Sequence, residues 1–159
     1  MSNEVPGPPD GQQWVWQTRA LRSSDSWRSQ SINCRRFIDF LLLEHMAKGL
    51  KANGLLMAPY EQLEAFGIGV RYIADAIREA EELGLADCFR GGLRIATTYA
   101  LTWIPSHEGS PATNRWRAYR NPALKALKPE NLPLKGKADP PQNLPLKGKV
   151  LLRVLTREG

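Results

Sequence analysis

Four polar side chains between positions 71 and 78 have the types and spacing needed to read the edge of a nucleic-acid base. Arg71, Tyr72, Asp75 and Arg78 lie opposite the apolar positions of a predicted helix over 70–83 and so share one solvent-facing side. An arginine can donate to guanine O6 and N7 together, and an aspartate can accept from cytosine N4. The same spacing also allows Asp75 to pair with Arg71 and Arg78 on a solvated helix face. Both interpretations stay open at this point.

Two further groups of cations could contact phosphates. Arg90 and Arg94 flank a Gly91-Gly92 pair, and the segment NLPLKGK occurs twice, over 131–137 and 143–149. The repeat has two interpretations: a duplicated linker that its prolines keep extended, or two equivalent basic motifs that contact DNA or a protein. Its lysines are Lys135, Lys137, Lys147 and Lys149.

Groupings typical of catalytic or metal sites are missing from the sequence. Cys34 and Cys88 have no second cysteine or histidine at zinc-ligand spacing, and His45 and His107 lie far apart without a nucleophile or phosphate-loop motif. We therefore expect no enzymatic activity, no metal and no cofactor. An enzyme would require a cluster of titratable residues that the spacing hides.

Charge is distributed unevenly over the 159 residues. The net charge is +6, but residues 54–108 carry −4 and residues 109–159 carry +8, so an acidic partner would feel the C-terminal part most strongly. The N-terminus lacks the basic start and apolar run of a secretory signal, and no apolar stretch is long enough to cross a bilayer. A cytoplasmic location is expected.

Apolar periodicity predicts three helices. The first covers 31–48 and buries its Cys34, Phe37, Leu41 and His45 side, and the second runs over 60–67 after a short strand at 55–58. The third covers 70–83, and glycines lie in the turn before it and at its end. Its predicted buried stripe consists of Val70, Ile73, Ala74, Ile77, Ala80 and Leu83.

Two strands follow the third helix. A strand at 85–90 is predicted to turn at Gly91-Gly92, as a two-residue hairpin, into a return strand over 93–103 in which Leu93, Ile95, Tyr99 and Trp103 share one face. The order of elements predicts an α+β winged helix-turn-helix fold, with three helices and a small antiparallel sheet. The predicted organisation is a disordered N-terminus over 1–12, the folded domain over 13–105 and a flexible basic tail over 106–159.

Three tryptophans near the first helix could stack on bases. Aromatic residues beside an amphipathic helix more often pack a small core, so we expect Trp14, Trp16 and Trp27 to be buried. Trp103 is expected in the core for the same reason, and His45 is expected to be packed rather than to act as a ligand.

Several segments together resemble a known class of protein. SDSWRSQS before the first helix, NGLLMAPYEQLEAFGI, IADAIREAEELGL and YALTW resemble winged helix-turn-helix proteins of bacterial plasmids, prophages and mobile elements, over roughly residues 11–104. Their layout is similar to that of replication-initiator winged helices. The resemblance implies binding to double-stranded DNA and a role in transcription regulation or replication control.

The sequence is therefore consistent with two functions. The first is DNA binding through the predicted helix over 70–83, with the tail lysines on phosphates, as a monomer or as a homodimer that reads two half-sites. The second is a winged-helix protein-interaction module without direct DNA binding, which the acidic segment 54–108 favours.

Overall fold

Helices form most of the regular structure in the computed structural model, which describes residues 11–127. Within that range the elements are, in chain order, α1 Arg19–Ser23, α2 Asp25–Arg28, α3 Ile32–Ala47, α4 Tyr60–Ala65, α5 Val70–Glu82, β1 Ala86–Phe89, β2 Thr98–Leu101 and a 3-10 helix Arg115–Arg117. The chain divides into two units, Met1–Lys125 and Ala126–Gly159, and all of these elements belong to the first. The architecture is α+β.

The central helix α3 begins where the sequence predicts. The Ser31 hydroxyl accepts from the Cys34 amide and so caps the helix. Phe37, Ile38 and Leu41 are fully buried on one side, and α3 packs against α5. The predicted first helix is confirmed.

The second and third predicted helices form as α4 and α5, with a tight turn between them. Gly67 has φ +111°, a conformation that side chains rarely adopt, and Ile68 is fully buried behind it. The Arg36 guanidinium donates to the Gly67 carbonyl at 2.6 Å. The turn therefore sets the direction in which α5 leaves α4.

The buried stripe of α5 differs from the prediction at two positions. Val70 is 52% exposed and Ala74 is also exposed, whereas the buried positions are Ile73, Ala76, Ile77 and Ala80. Because Val70 is the first residue of the helix, it lies beyond the packing with α3. The buried side is consequently rotated away from Ala74 toward Ala76.

The sheet is smaller than predicted. β1 and β2 are antiparallel, with Ala86 opposite Leu101 and Phe89 opposite Thr98. The predicted strand at 55–58 is reduced to one bridge between Leu56 and Tyr99. The order of helix, bridge, two helices and two strands is compatible with a winged helix.

The predicted two-residue hairpin at Gly91-Gly92 is wrong. β1 ends at Phe89 and β2 begins at Thr98, so residues 90–97 form a longer β1–β2 loop. Leu93 is fully exposed and Ile95 is 68% exposed, although sequence alternation placed both on the inner face. Arg94 has φ +69°, which breaks the extended backbone at the start of the predicted strand, and β1 offers no partner before Thr98 because its last residue, Phe89, lies opposite Thr98.

Tryptophan burial follows the prediction only in part. Trp27 and Trp103 are buried, and their rings meet edge to face with centroids 5.9 Å apart. Trp14 and Trp16 are 54% and 48% exposed, so their predicted place in the core is wrong. The segment that carries them contains no helix or strand, and only Val15 between them packs against the core.

Residues after Pro105 continue to pack in the same unit. Trp116 is 5% exposed, the Asn114 amide donates to the Thr102 carbonyl, and the Arg28 guanidinium donates to the Lys125 carbonyl. Gly84, with φ +69°, ends α5 at a point where a Cβ would lie 2.7 Å from the backbone of Arg115. The predicted domain 13–105 and the first part of the predicted tail 106–159 thus share one unit.

Two predictions concern residues that the structure does not describe. The predicted disorder over 1–12 falls almost entirely on residues 1–10, and the duplicated NLPLKGK motif falls on residues 128–159. Both lie outside the described range. Among the helices of residues 11–127, none combines the length and the hydrophobicity that a bilayer span requires.

Candidate nucleic-acid interface

The outer face of α5 carries the four predicted contact residues together. Arg71, Tyr72, Asp75 and Arg78 are all exposed, whereas Ile73, Ala76, Ile77 and Ala80 are buried on the opposite side. α5 has 13 residues, so this face runs for more than two turns. Its side chains would be free to enter a groove.

The charges on this face are partly paired. The Arg78 guanidinium donates to Asp75 at 2.5 Å and lies 3.9 Å from Glu82. Arg71 instead places its guanidinium over the Tyr72 ring, 4.6 Å from the centroid. The predicted ion pairing of Asp75 is therefore confirmed with Arg78, while Arg71 forms no salt bridge within residues 11–127.

The ion pair with Asp75 still allows Arg78 to contact DNA. The side chains of Arg78 and Asp75 are 65% and 62% exposed, and exposed ion pairs contribute only about 0–1 kcal/mol. A base edge or phosphate could replace the carboxylate with little loss. Arg71 has no carboxylate to give up. Because its guanidinium stacks on the Tyr72 ring, the N–H groups at the guanidinium edge stay free to donate to a base or phosphate.

Two of the three acidic residues near the end of α5 point to other parts of the fold, whereas Glu82 stays on the outer face, 3.9 Å from Arg78. Glu79 accepts from both the amide and the hydroxyl of Ser31, each at 2.6 Å, so it stabilises the start of α3. Glu81 pairs with Arg90 at 2.6 Å. Neither carboxylate is left unpaired to repel a phosphate from the outer face of α5.

The β1–β2 loop contributes two exposed cations, of which Arg90 forms a salt bridge and Arg94 does not. The hydrogen bond to Glu81 raises the pKa of Arg90, so this guanidinium is already partnered. Arg94 is exposed and forms no salt bridge within the described residues. A cleft of about 650 Å³ separates α5 from the loop and is lined by Tyr60, Ala74 and Gly91, among others.

Sequence reasoning missed the contacts that hold this face in place. The hydrogen bonds that Ser31 donates to Glu79 and that Arg36 donates to Gly67 join positions 48 and 31 residues apart, and no local sequence pattern predicts them. Asn53, which is 2% exposed, was also missed because its place before Gly54 suggested only a turn.

The remaining predicted contact residues are the four lysines of the NLPLKGK repeat. Lys135, Lys137, Lys147 and Lys149 lie outside residues 11–127.

Other chemistry has little support within residues 11–127. No three His, Cys, Asp or Glu residues in that range converge as they would around a metal ion, and burial raises the pKa of the Cys34 thiol to about 12. No family model, curated protein or solved structure matches the chain.

Proposed function

We propose that this chain is a winged-helix protein that binds double-stranded DNA, with α5 as the recognition helix, and that it acts in transcription regulation or replication control of a bacterial chromosome or mobile element. One observation carries the proposal. Arg71, Tyr72, Asp75 and Arg78 are exposed together on a helix that follows a tight glycine turn. This is how a helix-turn-helix presents the side chains that enter the major groove.

Each residue has a role that its chemistry suggests. Arg71 and Arg78 donate to guanine edges, Asp75 accepts from a cytosine amino group and Tyr72 supports the Arg71 guanidinium from below. The β1–β2 loop serves as the wing, and Arg94 is its exposed cation. No cofactor is needed, because specificity comes from side chains at base edges.

Replacing Arg71 by alanine should weaken binding to the specific duplex by about 1–3 kcal/mol, the usual worth of a good arginine–guanine contact. The matched control is Arg19→Ala in α1, which removes the same charge from another exposed arginine. Gel shift on a selected duplex, with circular dichroism to verify the fold, measures both variants. Equal losses in the two variants would remove α5 as the reading element.

Salt dependence provides a separate test of phosphate contact. The logarithm of the binding constant should fall linearly with the logarithm of salt concentration, with a slope of about −0.9 per phosphate neutralised. The C-terminal part is proposed to supply this term, since residues 109–159 carry +8.

Deleting residues 129–159 should weaken binding to specific and random duplexes alike and should flatten the salt dependence. The deletion removes the four repeat lysines together with Arg153 and Arg157, and lysines on an extended chain approach phosphates without reading bases. Replacing the lysines of one NLPLKGK copy should have a smaller effect than replacing those of both. An unchanged salt slope after deletion would contradict a phosphate-binding tail and favour a protein partner for the repeat.

A second function, a protein-interaction module, is favoured by the apolar β1–β2 loop. Leu93 and Ile95 are 100% and 68% exposed beside the cleft of about 650 Å³, and exposed apolar patches often mark protein contacts. The pairing of Arg90 with Glu81 also leaves the loop less basic. Absence of any duplex binding even at low salt would favour this second function over the first.

A further inference from the structure

A cavity of about 450 Å³ lies at the C-terminal end of α3, outside the proposed DNA interface. Three chain segments line it, over 14–16, 45–51 and 104–109, and none of them belongs to α5 or to the β1–β2 loop. Its volume is within the usual range of small-molecule sites. The cavity therefore needs an explanation separate from DNA binding.

Two exposed indoles form one wall of the cavity. Trp14 and Trp16 are about half exposed, while Val15 between them packs against the core. Val15 also lines the cavity, so its contact with the core holds the segment that carries both indoles at this wall. Large aromatic surfaces held in this way gain free energy when a flat ring covers them.

A buried polar group without a partner lines the same cavity. His45 is 2% exposed, and its Nδ1 atom has no hydrogen-bond partner within the described residues. Burial lowers the pKa of His45, so the imidazole is neutral at physiological pH and can offer either one donor or one acceptor at this atom. An unsatisfied buried nitrogen is unfavourable, and a ligand that bonds to it would remove that penalty.

A lysine completes the lining. Lys51 is exposed and forms no salt bridge within residues 11–127. His107 is already engaged, because its Nδ1 lies 3.0 Å from the Asn53 carbonyl oxygen. Lys51 is therefore the available positive charge along this cavity.

We propose that this cavity binds a small planar aromatic anion. The ring packs on Trp14 or Trp16, a polar group on the ring bonds to His45, and the anionic group lies near Lys51. Both an aromatic carboxylate and a nucleotide, with its flat base and phosphate, have this chemistry. The site does not depend on the proposed DNA binding.

Isothermal titration calorimetry of the full chain with 4-hydroxybenzoate and with adenosine monophosphate tests the proposal and distinguishes the two sources. At least one probe should bind saturably with a dissociation constant below about 1 mM. Cyclohexanecarboxylate, which has the charge without the flat ring, should bind about tenfold more weakly than 4-hydroxybenzoate if the carboxylate is the ligand.

Matched variants assign the binding to this cavity. Lys51→Ala and Trp14→Ala should each weaken binding of the active probe by about five- to tenfold, with unchanged thermal unfolding. Lys48→Ala is the control, because Lys48 pairs with Glu44 at 3.1 Å and does not line the cavity. It should leave the affinity unchanged.

Nitrogen NMR of the wild-type chain tests the role of His45 without a substitution that could unfold the protein. The His45 Nδ1 resonance should shift on saturation with the active probe. The proposal is overturned if neither probe binds with a dissociation constant below about 1 mM, if Lys51→Ala and Lys48→Ala behave alike, or if the Nδ1 resonance does not move.

Discussion

Replacing Asn53 by alanine should lower the free energy of unfolding by about 3–5 kcal/mol, because several buried polar groups would lose their partner at once. The side-chain nitrogen Nδ2 of Asn53 donates to the backbone carbonyls of Leu101, Ile104 and Pro105 at 3.0, 2.8 and 3.2 Å. Its side-chain oxygen accepts from the Leu101 amide at 2.7 Å. Asn53 thus ties the end of β2 and the segment after it to the loop that follows α3. Urea denaturation measures the loss.

Two variants make this prediction specific. Asn53→Asp keeps the acceptor and loses the donor, so a carboxylate would face three carbonyl oxygens; the variant should be more stable at acidic pH, where the protonated carboxyl can donate, than at neutral pH. Asn33→Ala is the control, since Asn33 lies in α3 and forms no side-chain hydrogen bond within the described residues. A loss below about 1 kcal/mol in Asn53→Ala would contradict the predicted role.

The helices were predictable because their determinants are local. The apolar spacing of α3 and the glycine that ends α5 lie within or beside each helix, and helical periodicity exposes them in the sequence. Asn53 could not be predicted in this way. Its partners lie 48–52 residues further along the chain, and an isolated Asn-Gly pair suggests only a turn.

The sequence predicted which residues form the candidate interface, but it did not predict the hydrogen bonds and ion pairs that join this face to other elements. Helical geometry alone places Arg71 and Arg78 on one face. The pairs of Arg78 with Asp75 and Glu82 follow from helical spacing. The contacts of Glu79 with Ser31 and of Glu81 with Arg90 depend instead on tertiary packing. The sequence therefore could not show that Arg90 is paired with Glu81 while Arg94 has no carboxylate partner within residues 11–127.

The errors share one physical cause. Alternation predicts a face for Leu93 and Ile95 but does not show that a partner strand is present, and β1 ends too early to pair with them. Aromatic character likewise predicted burial for Trp14 and Trp16, although no element covers them. Conversely, the polar composition after Pro105 predicted a flexible tail, so the burial of Trp116 was not predicted. That burial depends on contact with α2.

Replacing Trp116 by alanine should lower the free energy of unfolding by about 3–5 kcal/mol, the usual loss for a large buried aromatic side chain. Trp116 is 5% exposed, its Nε1 donates to Asn114 Oδ1 at 3.1 Å, and Arg117 covers the ring 4.9 Å from its centroid. The 3-10 helix that carries it contacts α2. Trp14→Ala is the matched control and should change stability by less than about 1 kcal/mol, because its indole is already half exposed.

Truncation extends the same test to the whole segment that packs after Pro105. A chain that ends at Lys125 should retain the stability of the full chain in urea denaturation, because the first unit ends there. A chain that ends at Pro105 loses Trp116 and the backbone of Arg115 that packs against Gly84, so it should be destabilised at least as much as Trp116→Ala. If the shorter chain is as stable as the longer one, residues 106–125 add nothing to the fold, and the boundary at 105 predicted from composition is the better description.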